Sequence, residues 1–269
     1  MVRQTQGYCI EEERNALLEI KASHRKSYDS KMDHFLPTWV DYGSNTPRNG
    51  GGNCCDWERV NCNTTTGHVI ELSLYNLRGA INLYIESRSK FWPLNFSLFL
   101  HFKELKSLNL SYDFLDKEVV KTGLERLSSL KKLEVLDLSW NDDIDNGILP
   151  ALKTLSSLKI LVLGSTNLNG NFPISEFAAL ENLEMLDLSI CPFNGTFEIQ
   201  GSERVSILRK LKILNLRFSG FNENIITSLN TLSSLTSLDL SENPMSGPFP
   251  AQDHHKCTTT NTNTTATTS

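Results

Sequence analysis

No stretch of this sequence stays apolar for the roughly 18 residues that a membrane-spanning helix requires, so no spanning segment is read from it. Met1 to Tyr8 carry one arginine and no apolar run, so no secretory leader is read at the start either. A cationic surplus is missing as well. The chain has 26 Lys and Arg against 31 Asp and Glu, a formal net charge of -5, which argues against a nucleic-acid binder with its basic stripe. Neither a Gly-rich phosphate loop nor a nucleophile–base motif occurs, so no enzymatic reading is built and no cofactor is expected. Enough apolar material remains, 39% of 269 residues, to bury a sizeable core.

Six cysteines stand at positions 9, 54, 55, 62, 191 and 257. Four fall in the first 62 residues, and the adjacent pair Cys54-Cys55 suits a tetrahedral metal poorly. A disulfide framework is the better reading and implies an oxidising compartment. Asn-x-Ser/Thr triplets at Asn63, Asn95, Asn109, Asn194 and Asn263 add weak support for a secretory route.

Internal repetition organises the rest. The pattern LxxLxLxx(N)xL recurs at Leu105-Leu108-Leu110, Leu133-Leu136-Leu138, Leu158-Leu161-Leu163, Leu183-Leu186-Leu188, Leu211-Leu214-Leu216 and Leu235-Leu238-Leu240, with a poorer copy at Val69-Leu72-Leu74. First anchors from Leu105 onward are 28, 25, 25, 28 and 24 residues apart. Asp113, Asn141, Thr166, Cys191, Ser219 and Asn243 fill the slot after each triplet. Leucines two apart point to one side of a strand. One short strand per coil therefore stacks on the next as a parallel sheet, over a core that no single repeat could bury alone.

Between triplets, Leu127-Ser-Ser-Leu130, Leu155-Ser-Ser-Leu158 and Leu232-Ser-Ser-Leu235 predict short 3₁₀ or α turns on the convex side. Gly170, Gly195 and Gly247, two of them followed by Pro173 and Pro250, argue for turns rather than a long helix there. Glu11 to Ala22 is a helix candidate, with Ile10, Leu17, Leu18 and Ala22 on one face and acidic residues in its first turn.

These features resemble the extracellular leucine-rich-repeat proteins of plants, above all the receptor-like proteins of the cell surface. The resemblance rests on the Leu-x-Gly-x-x-Pro extension and on the N-terminal run from Cys9 through Leu18, Trp39 and Cys54-Cys55-Asp-Trp57 to Cys62. It covers roughly Tyr8 to Gln252. It implies an α/β fold, a right-handed solenoid with a parallel sheet on its concave face and short turns on its convex face, closed at one end by a helical cap. It also implies pairing of Cys9 with Cys54 and of Cys55 with Cys62. The expected organisation is a disordered N-terminus over 1–7, a cap over 8–66, about seven repeats over 67–252 and a Thr/Asn-rich low-complexity tail over 253–269. Truncation or a shifted frame after Gln252 is the expectation for that tail.

The residue just before the slot reads Tyr112, Trp140, Ser165, Ile190, Phe218 and Glu242, taken as a solvent-facing strand column. Exposed aromatics favour binding, although lateral packing among themselves is the plainer alternative. Arg217 adds a charge where other repeats carry Ser or Gly. Tyr112, Trp140, Ile190, Arg217 and Phe218 are therefore the ligand-binding candidates. Asp137, Asp187 and Asp239 could do acid–base work only in a cleft, and they follow the repeat's own Leu-Asp-Leu-Ser habit. Asn109 shares their column, so a glycan there would obstruct the face. Cys191 reads as a buried structural thiol, and Asp253-His-His-Lys-Cys257 as a tail without a metal site.

The resemblance implies recognition of a peptide, glycan or protein ligand, with a receptor kinase as co-receptor, at the extracellular side of the plasma membrane or in the apoplast. A soluble inhibitor of a secreted hydrolase such as polygalacturonase is the alternative from another class. A truncated product without independent function is the third.

Overall fold

The computed structural model describes residues 7–27, 36–41, 52–77, 91–194, 208–225, 229, 232–245 and 258–260. Expectations about Gly195, Gly247, Pro250, Asn263 and the His254–Cys257 stretch lie outside these residues.

Nine short strands follow one another in a single sheet ordered as in the chain: β1 (Val60–Cys62), β2 (Val69–Ser73), β3 (Ser107–Asn109), β4 (Val135–Asp137), β5 (Ile160–Val162), β6 (Met185–Asp187), β7 (Ile213–Asn215), β8 (Ser237–Asp239) and β9 (Thr258–Thr260). β1 pairs antiparallel with β2 and belongs to the cap; every later pairing is parallel. Register places Leu72, Leu108, Leu136, Leu161, Leu186, Leu214 and Leu238 directly beside one another. All seven are buried, which is the period-two prediction realised. β9 continues the backbone register with Thr259 opposite Leu238, so pairing extends into a segment with no leucine pattern.

At every slot but Thr166 the residue ties its coil to the previous one. Asn141 Nδ2 donates to the Leu110, Leu138 and Ser139 carbonyls, and its Oδ1 accepts from the Asp113 and Leu115 amides. Asn243 repeats this with Leu216, Leu240, Ser241, Ser219 and Phe221. Thr166 donates to the Leu163 carbonyl, Cys191 to the same carbonyl at 3.4 Å, and Ser219 to that of Leu188. A hydroxyl or thiol keeps the donor half of the job, but only the amide reaches two neighbouring N–H groups as well.

Convex segments vary with repeat length. The 28-residue interval after Leu105 holds α2 (Lys117–Leu127), an 11-residue helix that the turn-based reading did not foresee. Asp116 caps it by accepting from the Glu118 and Val119 amides. Its Gly123 lies against Phe96, where a Cβ would come within 2.2 Å of the ring. Among the described residues, the 25-residue repeats carry a 3₁₀ turn (Asn146–Ile148) followed by α3 (Leu149–Leu152), and α4 (Ile174–Ala178).

α1 (Glu11–Ser27) covers the first coil. Its buried stripe is Glu13, Ala16, Leu17, Ile20 and His24, whereas Ala22 is exposed and Leu18 half-buried. The predicted face is thus rotated, because Glu13 turns inward to satisfy the sheet: its Oε2 accepts from the Val69 amide at 2.7 Å and its Oε1 lies 2.9 Å from His68 Nδ1. Burial raises the Glu13 pKa against the opposing pull of those two bonds. Cys9 is bonded to Cys54 and Cys55 to Cys62, as the family resemblance implies. The one grouping of potential metal ligands among the described residues, Cys9, Cys54 and Cys55, is explained by these disulfides.

Replacing Asn141 by Ala strands the buried amides of Asp113 and Leu115 and takes a donor from the Leu110 and Leu138 carbonyls, so we expect a loss of at least about 3 kcal/mol by urea denaturation. Thr166→Ala, which removes one donor, should cost about 1 kcal/mol; equal losses for the two variants would refute the slot argument.

Candidate ligand-binding face

Outward residues of β3–β8 alternate with the buried leucines and form two parallel columns. The first column reads Ser107, Val135, Ile160, Met185, Ile213 and Ser237; the second reads Asn109, Asp137, Val162, Asp187, Asn215 and Asp239. The first is apolar over four consecutive strands, and Ile213 is 40% exposed. Sequence reasoning missed this column. Its signal was present in Leu133-Glu-Val135-Leu136 and its equivalents, where an apolar residue occupies an outward strand position.

The second column is braced from within. Asp137 Oδ1 accepts from both the Ser139 amide and its hydroxyl, and its Oδ2 accepts from Asn109 Nδ2 at 3.1 Å. Asp187 does the same with Ser189 and with Asn215 at 2.8 Å, and Asp239 with Ser241. These carboxylates are turn braces, on an open sheet face rather than in a cleft. In the β5 coil Val162 supplies no such acceptor, and Gly164 replaces the serine. A Cβ there would lie 2.7 Å from Ser189 Oγ and 3.1 Å from Asp187 Oδ1.

Beside the apolar column runs a row of alternating charge: Lys106, Glu134, Lys159, Glu184 and Lys212. Glu134 pairs with Lys159 at 2.9 Å and Glu184 with Lys212 at 2.6 Å. Hydrogen bonding to the partner raises the Lys159 pKa and lowers that of Glu184. Four of the five charges on this flank are thus paired, and Lys106 is the fifth.

The aromatic column is not on the strands, as the sequence reading had it. Tyr112, Trp140, Ser165, Ile190, Phe218 and Glu242 sit in the turn after each strand, all in the left-handed region with φ between 51° and 63°. They are held there because each of the first five donates its amide to a carbonyl of the next coil, at Ser139, Gly164, Ser189, Arg217 and Ser241. Trp140 is 53% and Phe218 60% exposed. Tyr112 is half-buried between Tyr75 and Trp140, at centroid distances of 6.5 and 5.8 Å. Lateral packing and exposure therefore coexist. Arg217 is exposed, its amide bonded to Asn215 Oδ1 at 3.1 Å.

Asn63 and Asn95 are exposed and use Oδ1 to accept local amides, leaving them off the face. Asn194 is exposed and bonds Asn171 through Nδ2. Asn109 lies on the face itself. Cys191 is buried, and burial pushes its thiol pKa up, which suits a structural role.

A family model for the leucine rich repeat N-terminal domain matches residues 10–63, and one for the Leucine Rich Repeat matches 234–252. Curated relatives from Arabidopsis thaliana include Receptor like protein 21, 35% identical over 81% of this chain and 20% of that protein. Putative receptor-like protein 8 is 36% identical over 90% of this chain and 22% of that protein. The chain belongs to the leucine-rich-repeat family of plant receptor-like proteins. It spans about a fifth of the length of the curated relatives it matches.

The fold is that of the Arabidopsis receptor kinase HAESA ectodomain. A crystal structure with the peptide hormone IDA and a co-receptor gives TM-score 0.58 at 22% identity, over 90% of this chain and 39% of that one. Another, with an N-terminally extended IDA peptide, gives 0.55 at 19%, over 93% and 41%. No helix among the described residues is long and apolar enough to cross a membrane.

Because asparagine is comfortable in the left-handed region, Trp140→Asn and Phe218→Asn should preserve the fold, changing unfolding free energy by less than about 0.5 kcal/mol. A Tm fall of more than about 8 °C in either variant would mean that the ring is structural.

Proposed function

We propose that this chain is a ligand-recognition unit, the outer portion of a receptor-like protein facing the plant apoplast, and that it works by binding rather than catalysis. The observation that carries the reading is the outward-facing apolar column Val135–Ile160–Met185–Ile213, half-buried over its first three residues and exposed at Ile213, set on the sheet between braced carboxylates and a largely paired charge row. Exposed, contiguous apolar surface on a stable scaffold is what a recognition site needs. Tyr112, Trp140, Ile190 and Phe218 extend that surface along one border, with Arg217 as a charged contact. Glycans on Asn63, Asn95 and Asn194 would lie off this face; one on Asn109 would encroach on it.

The family supports an extracellular role, and the HAESA complexes support a peptide as ligand with a receptor kinase as partner. Defence or developmental signalling is the setting we favour.

Asp187→Asn provides a reversible test, because it creates an Asn-Leu-Ser acceptor in the middle of the face. Secreted from a eukaryotic host, the variant should carry a glycan there and lose binding to peptides selected from a displayed library on the parent chain. Enzymatic release of the glycan by peptide N-glycosidase converts that Asn back to Asp, and binding should return. Undiminished binding by the glycosylated form would remove the face from the function.

A further inference from the structure

The outward-facing apolar column is flanked on its own strands by carboxylates that recur on every second coil, Asp137 on β4 and Asp187 on β6, with Val162 on β5 between them. Their hydrogen-bond partners are neutral: a serine amide, its hydroxyl and an asparagine amide in each case. No ion pair among the described residues reaches either carboxylate. The neighbouring lysines do not reach them, because Lys159 and Lys212 are engaged by Glu134 and Glu184. Arg217, exposed on the β7 coil, bounds the negative stretch before Asp239.

Spacing narrows the class of ligand. Adjacent strands lie about 4.8 Å apart, so Asp137 and Asp187, two strands apart in one column, are separated by roughly 9–10 Å along the solenoid. An extended β-strand returns a side chain to the same side every ~6.8 Å and falls out of step. A polyproline II segment has three residues per turn at about 3.1 Å each, which repeats a face every ~9.3 Å. Side chains at i and i+3 then meet both carboxylates. A side chain one third of a turn away lies over Ile160 and Met185 on one flank or towards Trp140 and Ile190 on the other.

We propose that the face formed by β4–β6 binds a peptide in the polyproline II conformation with Lys or Arg at i and i+3 and an apolar residue between them. This rests on the ligand-recognition reading above and specifies its chemistry.

The test uses the full chain and synthetic peptides measured by fluorescence anisotropy at low ionic strength. The probe is an acetylated, amidated (Lys-Pro-Leu)₃. Its controls are (Glu-Pro-Leu)₃ and a peptide of equal composition with lysines at i and i+2. We expect the probe to bind at least tenfold more tightly than either control, and raising the salt to physiological strength to weaken it several-fold. Asp137→Ala with Asp187→Ala should abolish the preference. Val162→Lys, which leaves every serine–aspartate bond in place, should do so without touching the fold, as checked by thermal melting.

Equal affinity for the two lysine spacings, or no binding of the probe, overturns the proposal. If library-selected peptides are still blocked by the glycan on the Asp187→Asn variant while the lysine probe fails, only the cationic chemistry falls. If the glycan blocks nothing, the recognition reading falls with it.

Discussion

Strands of three residues cannot hold themselves extended, and those of this sheet persist because Leu72, Leu108, Leu136, Leu161, Leu186, Leu214 and Leu238 stack in one buried file. Each coil supplies half of a hydrogen-bond ladder and half of an apolar layer, and the next coil supplies the rest. The buried asparagines strengthen this dependence, since Asn141 and Asn243 each bond two coils through a single amide. The first coil pairs instead with the antiparallel β1 of the cap. There Glu13 of the cap accepts the Val69 amide, and α1 covers the apolar end.

This constraint produces the candidate site. A backbone committed to a neighbour through the turn after each strand is forced into the left-handed region, where Tyr112, Trp140, Ile190 and Phe218 are held at fixed spacing. Non-glycine residues in that region cost roughly 1 kcal/mol or more apiece, offset by the inter-coil bonds that hold them. The outward strand positions are equally fixed, because the buried leucines on either side set their direction. A face of this kind is pre-organised, and binding to it avoids the ordering cost that a loop would incur.

Much of the architecture was legible in the sequence because its signal is periodic. The leucine triplets specify strand direction and register through alternation alone, and the structure follows them from β2 to β8. The cap helix was readable as well, but its buried face was not. Apolar count favoured Ile10 and Ala22, whereas the need to satisfy the Val69 amide turned Glu13 inward. The helix α2 escaped prediction because Lys117–Leu127 takes the place of turns in a repeat only three residues longer than its neighbour.

The site was half visible. Exposed aromatics announce themselves in a list of residues, but their placement in left-handed turns depends on bonds to the next coil that no single repeat contains. The apolar column was hidden for a different reason: Val135, Ile160, Met185 and Ile213 look like core residues until the strand's alternation is enforced position by position.

Methyl NMR offers the most direct examination of the claim that the outward columns form the recognition surface. With isoleucine and methionine methyls labelled, a bound peptide should shift Ile160, Met185 and Ile213 and leave the buried Ile148, Ile174 and Ile225 unmoved. Shifts confined to the latter group would put recognition on the other side of the solenoid and contradict the account.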